Sequence, residues 1–446
     1  MTDPNSIRLL KSLIALAGRA PSPHNTQPWS PHIVGGAGGG DRCAGGDPDG
    51  GGSGTGGGSS GTGGGSSGTG GGGAVEVSVV PSRTLPAGDP SFRDVVLSLG
   101  AWVESFAIGA AEAGFDTRVQ TLAPLERLEE LPLSGPADPA RPVLRVSLET
   151  AAPLRVPVPL AVPEPGAPPT TQRPFTSAEV RDRAVFRGRL VGHPATWDNL
   201  SDVDLPPWLS LRRLDDRAMS YLSRLGIAFT ASRPSVAKEL LHWLRLDPAH
   251  PRYTEDGMTD VMLGIPSPLA RLATPATRWR RIRDPLLGAA GIVGRTAESL
   301  ERARTLRPLS LSLGESASES ATHLVLVANA RLAALDDCPR VTAAMDSRIG
   351  VSEPDALEAG RVLQRLWLHA HRLGLVVSPH SELIDSPLAH GLLRKRLSLG
   401  RSDVALSVFS AGVASSGVPR SPRLTDARGH GAAGAGSGSH AASGTR

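Results

Sequence analysis

The chain has 446 residues, of which 39% are hydrophobic and 20% charged, and its formal net charge is +4. So small a charge, with no basic run interleaved with aromatic residues, argues against a nucleic-acid partner. The N-terminus has no basic segment followed by an apolar one, and no apolar run reaches the length of a membrane span. We therefore expect a cytoplasmic protein without a membrane partner. Cys43 and Cys338 are too few for a disulfide framework or a zinc site, and no metal is expected.

The first predicted elements are a helix, a loop and two strands. Residues 7–16 carry apolar side chains at helical spacing, and that helix should end before Pro21. A loop rich in proline and asparagine then leads into a strand. The glycine-rich residues 35–73 cannot bury apolar surface, which predicts a disordered insert. Residues 74–80 alternate between apolar and polar, as in a strand.

The rest of the chain contains two long helices and several short elements. Residues 91–114 and 356–373 are predicted as long buried helices, each ending on a glycine. The further predicted helices cover 177–187, 215–232 and 387–397, and the further predicted strands cover 143–148, 323–327, 375–377 and 404–409. Proline interrupts the amphipathic pieces of residues 263–313, which are interpreted as a helical excursion.

The two long helices resemble each other in sequence. Residues 99–115 can be laid on 359–375 without a gap, which matches a glycine near the start of each helix and another at its end. One interpretation is a chain of two halves with like architecture, each built on one central helix. The other is that any buried helix with small residues has this pattern. The sequence leaves both open.

The clearest motif is the segment APSPHNTQPW at residues 20–29. It resembles the A-P-S-x-x-N-x-Q-P-W motif of the nitroreductase family of FMN-dependent oxidoreductases, with Pro23 where a second serine is common. The late Arg-Pro-Phe segment and the chain length resemble the Acg-like branch of that family in high-GC bacteria. The resemblance implies an FMN cofactor. It also implies an α+β fold in which mostly antiparallel sheets are wrapped by helices.

Three residues of this motif are candidates for flavin contacts. Asn25 has an amide side chain suited to the pyrimidine edge or the ribityl hydroxyls, because a buried polar edge must be hydrogen-bonded. Ser22 can donate to ribityl or phosphate oxygens. His24 could add a donor, but a role in capping the loop is an equal alternative. Residues 27–29 are interpreted as fixing the loop against the following strand.

Arginines and a late turn complete the predicted site. Arg173 resembles the basic residue that binds flavin phosphate in the family, and Arg420 and Arg423 resemble its C-terminal basic segment; arginine pairs well with phosphate because it donates in a fork. For each arginine the alternative is a solvated loop charge. The turn at residues 378–382 has the position that offers backbone N–H groups to the flavin in this family, so His380 and Ser381 are candidates.

The expected organisation is a fused pseudo-dimer, two nitroreductase-like halves in one monomeric chain, with further dimerisation left open. The first half comprises residues 1–34 and 74–150. The second half comprises residues 173–424, including a lid at 263–313. An insert (35–73), a proline-rich crossover (151–172) and a disordered tail (425–446) complete the chain.

The expected activity is passage of hydride from NAD(P)H through FMN to an electron-poor acceptor such as a nitroaromatic or a quinone. No catalytic side chain is assigned, because the cofactor carries the hydride. The first alternative is a protein that binds or sequesters FMN under a closed lid, with little or no turnover. The second is a fold whose flavin site has decayed.

Overall fold

The computed structural model describes residues 4–34, 73–123, 128, 135–150, 174–278, scattered positions from 281 to 296, 321–329 and 353–424. The predicted crossover and tail lie outside the described residues. So do the predicted insert, apart from Gly73, and about half of the predicted lid, including all of its residues after 296. The described part is a mixture of helices and antiparallel sheets, so the α+β prediction is confirmed.

The first sheet contains four antiparallel strands. They are β1 (Trp29–Val34), β2 (Ala74–Val79), β3 (Phe115–Thr121) and β4 (Leu144–Thr150), in the order β1-β2-β4-β3. Val75, Val77 and Val146 are fully buried, because the period of two puts these side chains on the face that meets the core. All four strands come from residues before 151.

The second sheet is built entirely from residues after 189. Its strands are β5 (Leu190–Val191), β6 (Leu209–Leu214), β9 (Thr322–Asn329), β10 (Val376–Pro379) and β11 (Asp403–Ala414). The order is β10-β11-β9-β6, and β5 pairs with the end of β11. A separate parallel pair joins β7 (Leu244–Arg245) to β8 (Met258–Thr259). Strand β11 is central and extends well beyond the predicted 404–409.

Ten described helices surround these sheets. They are α1 (Pro4–Ala17), α2 (Arg93–Glu112), α3 (Ser177–Asp182), α4 (Thr196–Ser201), α5 (Asp216–Ser232), α6 (Pro234–His242), α7 (Ser267–Arg278), α8 (Glu353–Arg372), α9 (Glu382–Asp385) and α10 (Pro387–Arg396). Short 3-10 turns occur at Pro23–Asn25 and Pro81–Arg83. The predicted helices at 7–16, 91–114, 215–232, 356–373 and 387–397 are confirmed.

Helix α3 is shorter than the predicted 177–187. A capping box starts it, since the Thr176 hydroxyl accepts from the Glu179 N–H and the Glu179 carboxylate accepts from the Thr176 N–H. After Asp182 the chain becomes extended along the edge of β10, where the Phe186 N–H donates to the Val377 carbonyl at 2.9 Å. Pairing with this open sheet edge explains why the helical pattern stops early.

Helices α2 and α8 cross in backbone contact. A Cβ added at Gly100 would lie 2.8 Å from the Cα of Gly360 and would collide with the Leu357 carbonyl oxygen. A Cβ at Gly360 would lie 2.8 Å from the Cα of Leu97 and would collide with its carbonyl oxygen. Each glycine therefore contacts the residue three positions before the other glycine, and the two helices make the same contact reciprocally.

Helix α2 is long and apolar enough to cross a membrane, although the sequence analysis expected no such run. Most of its residues are buried inside the molecule. Trp102 and Phe106 are fully buried, and Gly109 packs against the Leu13 and Leu16 side chains of α1. A core helix meets the same criterion of length and composition, and the burial of α2 shows that it is one.

Candidate functional site

The loop that follows α1 has an unusual backbone. His24, Asn25 and Gln27 all have positive φ, at 47°, 56° and 52°. This region is uncommon for residues other than glycine, and strain of this kind persists only where the surroundings fix the conformation. Such clustering is typical of functional loops.

Asn25 joins this loop to the C-terminal segment. Its Nδ2 donates to the Gly257 carbonyl at 3.1 Å and to the Pro422 carbonyl at 3.0 Å, and its Oδ1 accepts from Arg423 Nη1 at 2.6 Å. Both amide protons are therefore used by protein groups, while Oδ1 can accept one more hydrogen bond. A flavin contact from Asn25 stays a prediction, and a contact from Nδ2 would have to replace one of these bonds.

Gln27 fixes the same loop. Its Nε2 donates to the Glu255 carbonyl at 2.9 Å, its Oε1 accepts from the Leu424 N–H at 3.0 Å, and its N–H donates to the Ser22 hydroxyl oxygen at 2.9 Å. The side chain of Gln27 therefore fixes the loop to residues 255 and 424, and not to the following strand as the sequence predicts. Ser22 keeps its hydroxyl proton for another acceptor.

A buried ion cluster holds residues 255–257 against the loop. The Asp256 side chain is fully buried, accepts from Arg245 Nη2 at 2.9 Å and lies 3.0 Å from Arg83 Nη2; it also pairs with Arg252. Arg83 Nη1 in turn donates to the Thr26 carbonyl at 2.7 Å. Burial lowers the pKa of Arg83 and of Arg245, and the Asp256 charge opposes that change. The sequence analysis missed this cluster.

An arginine-lined groove lies beside the C-terminal segment. Its volume is about 820 Å³, and its lining includes Arg19, Arg181, Arg420, Ser421 and Tyr253. The volume falls within the roughly 300–1,000 Å³ of small-molecule sites. Three guanidinium groups in one concave site are suited to a phosphate. Arg173, the other predicted phosphate ligand, lies outside the described residues.

Two arginines, one in the groove and one next to it, differ in how their charge is balanced. Arg420 donates to Asp182 at 2.6 Å, and both side chains are more than half exposed. Arg183 is buried, donates to the Arg19 carbonyl at 3.0 Å and forms no ion pair with a described carboxylate. Burial and the nearby Arg19 charge lower the pKa of Arg183 to about 10. An anion in the groove would offset this concentration of positive charge.

Charged groups outside the loop act on His24. Burial, together with the Arg187 charge, lowers the pKa of His24 to about 4, with Asp94 opposing. The His24 Nδ1 has no hydrogen-bond partner among the described residues. Burial also lowers the pKa of Arg187, and Glu382 opposes that change. Arg187 is thus within electrostatic range of both His24 and Glu382.

The turn itself is held by internal hydrogen bonds. The His380 N–H donates to the Val408 carbonyl at 2.8 Å, so in this structure that donor is not available to a ligand. The Ser381 side chain bonds to Asp385, whose pKa burial raises to about 7. Asp385 accepts from Arg93 Nη2 at 2.8 Å, which ties α9 to the start of α2.

The structure thus brings some of the described candidates together. Asn25 is bonded to Arg423, whose segment lines the groove that contains Arg420. His24 is within electrostatic range of Arg187, which is also within range of Glu382, next to the candidates His380 and Ser381. Sequence reasoning missed Arg19, Arg181 and Arg187; the run of arginines at 181, 183, 187 and 189 was the available signal. Among the described residues, no group of three His, Cys, Asp or Glu side chains could hold a metal.

Replacing Arg423 with alanine should lower the free energy of unfolding by about 2 kcal/mol. The residue is 5% exposed, and its loss leaves the buried Asn25 Oδ1 without this donor, which costs about 1–3 kcal/mol, whereas the Arg19 carbonyl keeps its bond from Arg183. Urea unfolding measures the change. The matched control is Arg401→Ala at an exposed position, which should change stability by less than about 0.5 kcal/mol. Equal effects of the two substitutions would contradict the structural role of Arg423.

Comparison with known proteins gives distant structural neighbours. No protein-family model and no curated protein matches this chain. The FMN-dependent nitroreductase NfnB of Mycobacterium smegmatis, whose structure holds NADPH, is 13% identical over 55% of this chain and 92% of its own, with a TM-score of 0.26. A protein of Anabaena variabilis assigned as a nitroreductase is 13% identical over 76% of this chain and 69% of its own, with a TM-score of 0.28. Likeness at this level carries no argument about activity.

Proposed function

We propose that this chain is an FMN-dependent oxidoreductase of the nitroreductase type. Its donor is NAD(P)H, and its acceptor is an electron-poor compound such as a nitroaromatic or a quinone. We also propose that it works in the cytoplasm and belongs to the Acg-like branch. The bound flavin supplies the two-electron chemistry, while the protein supplies binding, orientation and charge.

The observation that carries this proposal is the bond between Asn25 and Arg423. It joins the loop whose sequence resembles a flavin-binding motif to the basic C-terminal segment, 398 residues away in the sequence. The same segment lines the arginine groove. Two features that the resemblance assigns to one cofactor therefore meet beside one cavity.

The side chains present fit a flavin phosphate ester. Arg19, Arg181 and Arg420 would hold the phosphate, because all three line the groove. Arg183, which donates to the Arg19 carbonyl, forms no ion pair with a described carboxylate and adds to the positive charge nearby. Ser22 retains a hydroxyl proton for a ribityl or phosphate oxygen. The His24 Nδ1, which has no partner among the described residues, is suited to a polar edge of the ring system.

We further propose that the chain is a fused pseudo-dimer with one complete flavin site. The reciprocal crossing of α2 and α8 supports it, and so does the assembly of one sheet from residues before 151 and the other from residues after 189. The motif loop occurs once in the sequence, which limits the complete site to one. Two FMN per chain would refute this arrangement.

One feature favours the alternative, an FMN-binding protein with little turnover. The Asp256 cluster holds residues 255–257 on the motif loop by buried ion pairs. A cover fixed in this way restricts access to the loop. Adding NADPH without air to the flavin-loaded protein separates the two functions: rapid bleaching of the flavin supports the oxidoreductase, and a stable spectrum supports the binding protein.

Flavin binding by the full-length protein tests the proposal. We expect one FMN per chain, and we expect Arg420→Ala to weaken FMN binding about tenfold, since a charge-assisted hydrogen bond is worth about 1.5–3 kcal/mol. Arg396→Ala is the matched control, because it breaks a similarly exposed Arg–Asp pair of the same 2.6 Å length outside the groove. Fluorescence titration with FMN measures both variants. A colourless protein that takes up no FMN would refute the function.

A further inference from the structure

A row of polar side chains crosses the second sheet. His323 Nε2 lies 3.3 Å from Asp216 Oδ1, an ion-pair distance, and Asp216 is 55% exposed. His323 Nδ1 is 2.7 Å from Ser410 Oγ, and Ser410 Oγ is 2.9 Å from His380 Nε2. His380 Nδ1 is 3.3 Å from Glu382 Oε1. The row runs from the surface at Asp216, through three hydrogen bonds, to Glu382 in the turn after β10.

The sheet register creates this row. His323 on β9 and Ser410 on β11 are direct cross-strand partners, so their side chains lie on the same face. His380 follows β10, the neighbour of β11 on the other side, and its N–H is bonded to the Val408 carbonyl. Ser410 is 3% exposed, so solvent does not replace the middle of the row.

We propose that Asp216, His323, Ser410, His380 and Glu382 form a proton relay that serves the oxidoreductase function proposed above. Reduction of a quinone by NAD(P)H transfers one hydride and consumes one proton, giving NAD(P)⁺ and the hydroquinone. The relay carries that proton from solvent at Asp216 to Glu382. The inference therefore rests on the proposed function.

Each inner member can accept a proton on one atom while it releases another. A proton from solvent forms an N–H bond at His323 Nε2, and the proton on His323 Nδ1 moves to Ser410 Oγ. The original hydroxyl proton of Ser410 moves to His380 Nε2, and the proton on His380 Nδ1 moves to Glu382. The row gains one proton at His323, and Glu382 returns to its carboxylate form when it gives one proton to the quinone oxygen during reduction to the hydroquinone. The three transfers between His323 and Glu382 each use a hydrogen bond that the structure shows.

The charges around the row suit this transfer. Asp215 and Asp216 raise the pKa of His323, whereas Arg213 and His380 lower it. His380 and Ser223 lower the pKa of Glu382. Arg187 lies within range of Glu382 as well. Burial lowers the pKa of His323, so its ring is neutral near pH 7 and can both accept and donate. Burial raises the pKa of Glu382, but the hydrogen bonds from His380 and Ser223 outweigh it and lower that pKa, so Glu382 is ionised and has a free position for the arriving proton.

The first test compares rates in the flavin-loaded protein. Ser410→Ala removes the central hydroxyl, and we expect 1,4-benzoquinone reduction to slow about tenfold or more, while bleaching of the flavin by NADPH changes less than about twofold. His323→Gln breaks the row one bond away and should slow the same step. Because the members act as one unit, the double variant should be no slower than the slower single variant. Ser407→Ala, on the same strand outside the row, is the matched control. Additive losses, equal slowing of both half-reactions or unchanged rates would overturn the relay.

The second test does not depend on turnover. In ¹⁵N spectra of the histidine rings, the wild-type protein should show one fixed proton arrangement at His323 and one at His380, because the row fixes the proton positions. Ser410→Ala should give mixed tautomers at both rings, whereas Ser407→Ala should not. Unchanged tautomers in Ser410→Ala would overturn the relay whether or not flavin is bound. Absence of flavin from the wild-type protein would instead refute the proposed function, so the two failures are distinguishable.

Discussion

Asp256→Asn should lower the free energy of unfolding by about 3–5 kcal/mol. The carboxylate is fully buried and faces Arg83, Arg245 and Arg252, and its neutralisation leaves buried guanidinium groups without their counter-charge. Removing one partner of a buried ion pair typically costs this much. FMN affinity should fall as well, because Gly257, next to Asp256, accepts a bond from Asn25 in the motif loop. Urea unfolding and FMN titration measure the two effects.

A surface ion pair provides the matched control for Asp256. Glu149 lies 3.8 Å from Arg118, and both side chains are more than half exposed. Exposed pairs contribute at most about 1 kcal/mol, so Glu149→Gln should leave stability and FMN binding almost unchanged. If Asp256→Asn behaved like Glu149→Gln, the buried cluster would not be what holds residues 255–257 on the loop.

Gly100→Ala should destabilise the protein by about 3 kcal/mol. The added Cβ would collide with the Leu357 carbonyl oxygen and lie 2.9 Å from the Arg361 backbone nitrogen, and backbone atoms of a packed helix cannot move aside as a flexible side chain can. Overpacking of this kind typically costs about 1–3 kcal/mol, and the backbone obstacle places this case at the upper end. The midpoint of urea unfolding should fall accordingly.

Gly391→Ala is the matched control for that substitution. Gly391 lies inside α10, is exposed, and an added Cβ would meet no atom within 4 Å. Alanine is favoured over glycine in a helix by up to about 1 kcal/mol, so this variant should be slightly more stable than the wild type. A loss of stability at Gly391 equal to that at Gly100 would show that the helix crossing is not the cause.

Local patterns predicted much of the fold. The positions of α2 and α8 followed from their apolar sequences and from Gly114 and Gly374, which have φ of 82° and 74° just after the helices. The α3 prediction was too long, because an edge of β10 competes for residues 185 and 186. A single-sequence pattern contains no information about which distant sheet edge is open.

The candidate site was predictable only in part, because a sequence pattern again shows local features and not distant contacts. The motif loop was recognisable because its residues are contiguous. Asp256 and Arg83 are separated by more than 170 residues, so no local spacing joins them. The partners of Asn25 at Gly257 and Arg423 are just as remote. Whether Ser22, His24, Asn25, His380, Ser381, Arg173, Arg420 and Arg423 contact a flavin stays a prediction.

The crossing of α2 and α8 also limits how the two sheets can move. Translating α2 by one residue would bring Leu99 or Ala101 to the place of Gly100, and either side chain would strike the backbone of α8. The same obstruction applies to α8, where Gly360 is flanked by Ala359 and Arg361. Sliding of one helix along the other is therefore blocked, whereas a small rotation about the point where the glycines touch is not. Relative motion of these two helices would thus be a pivot, with the largest displacements farthest from that point.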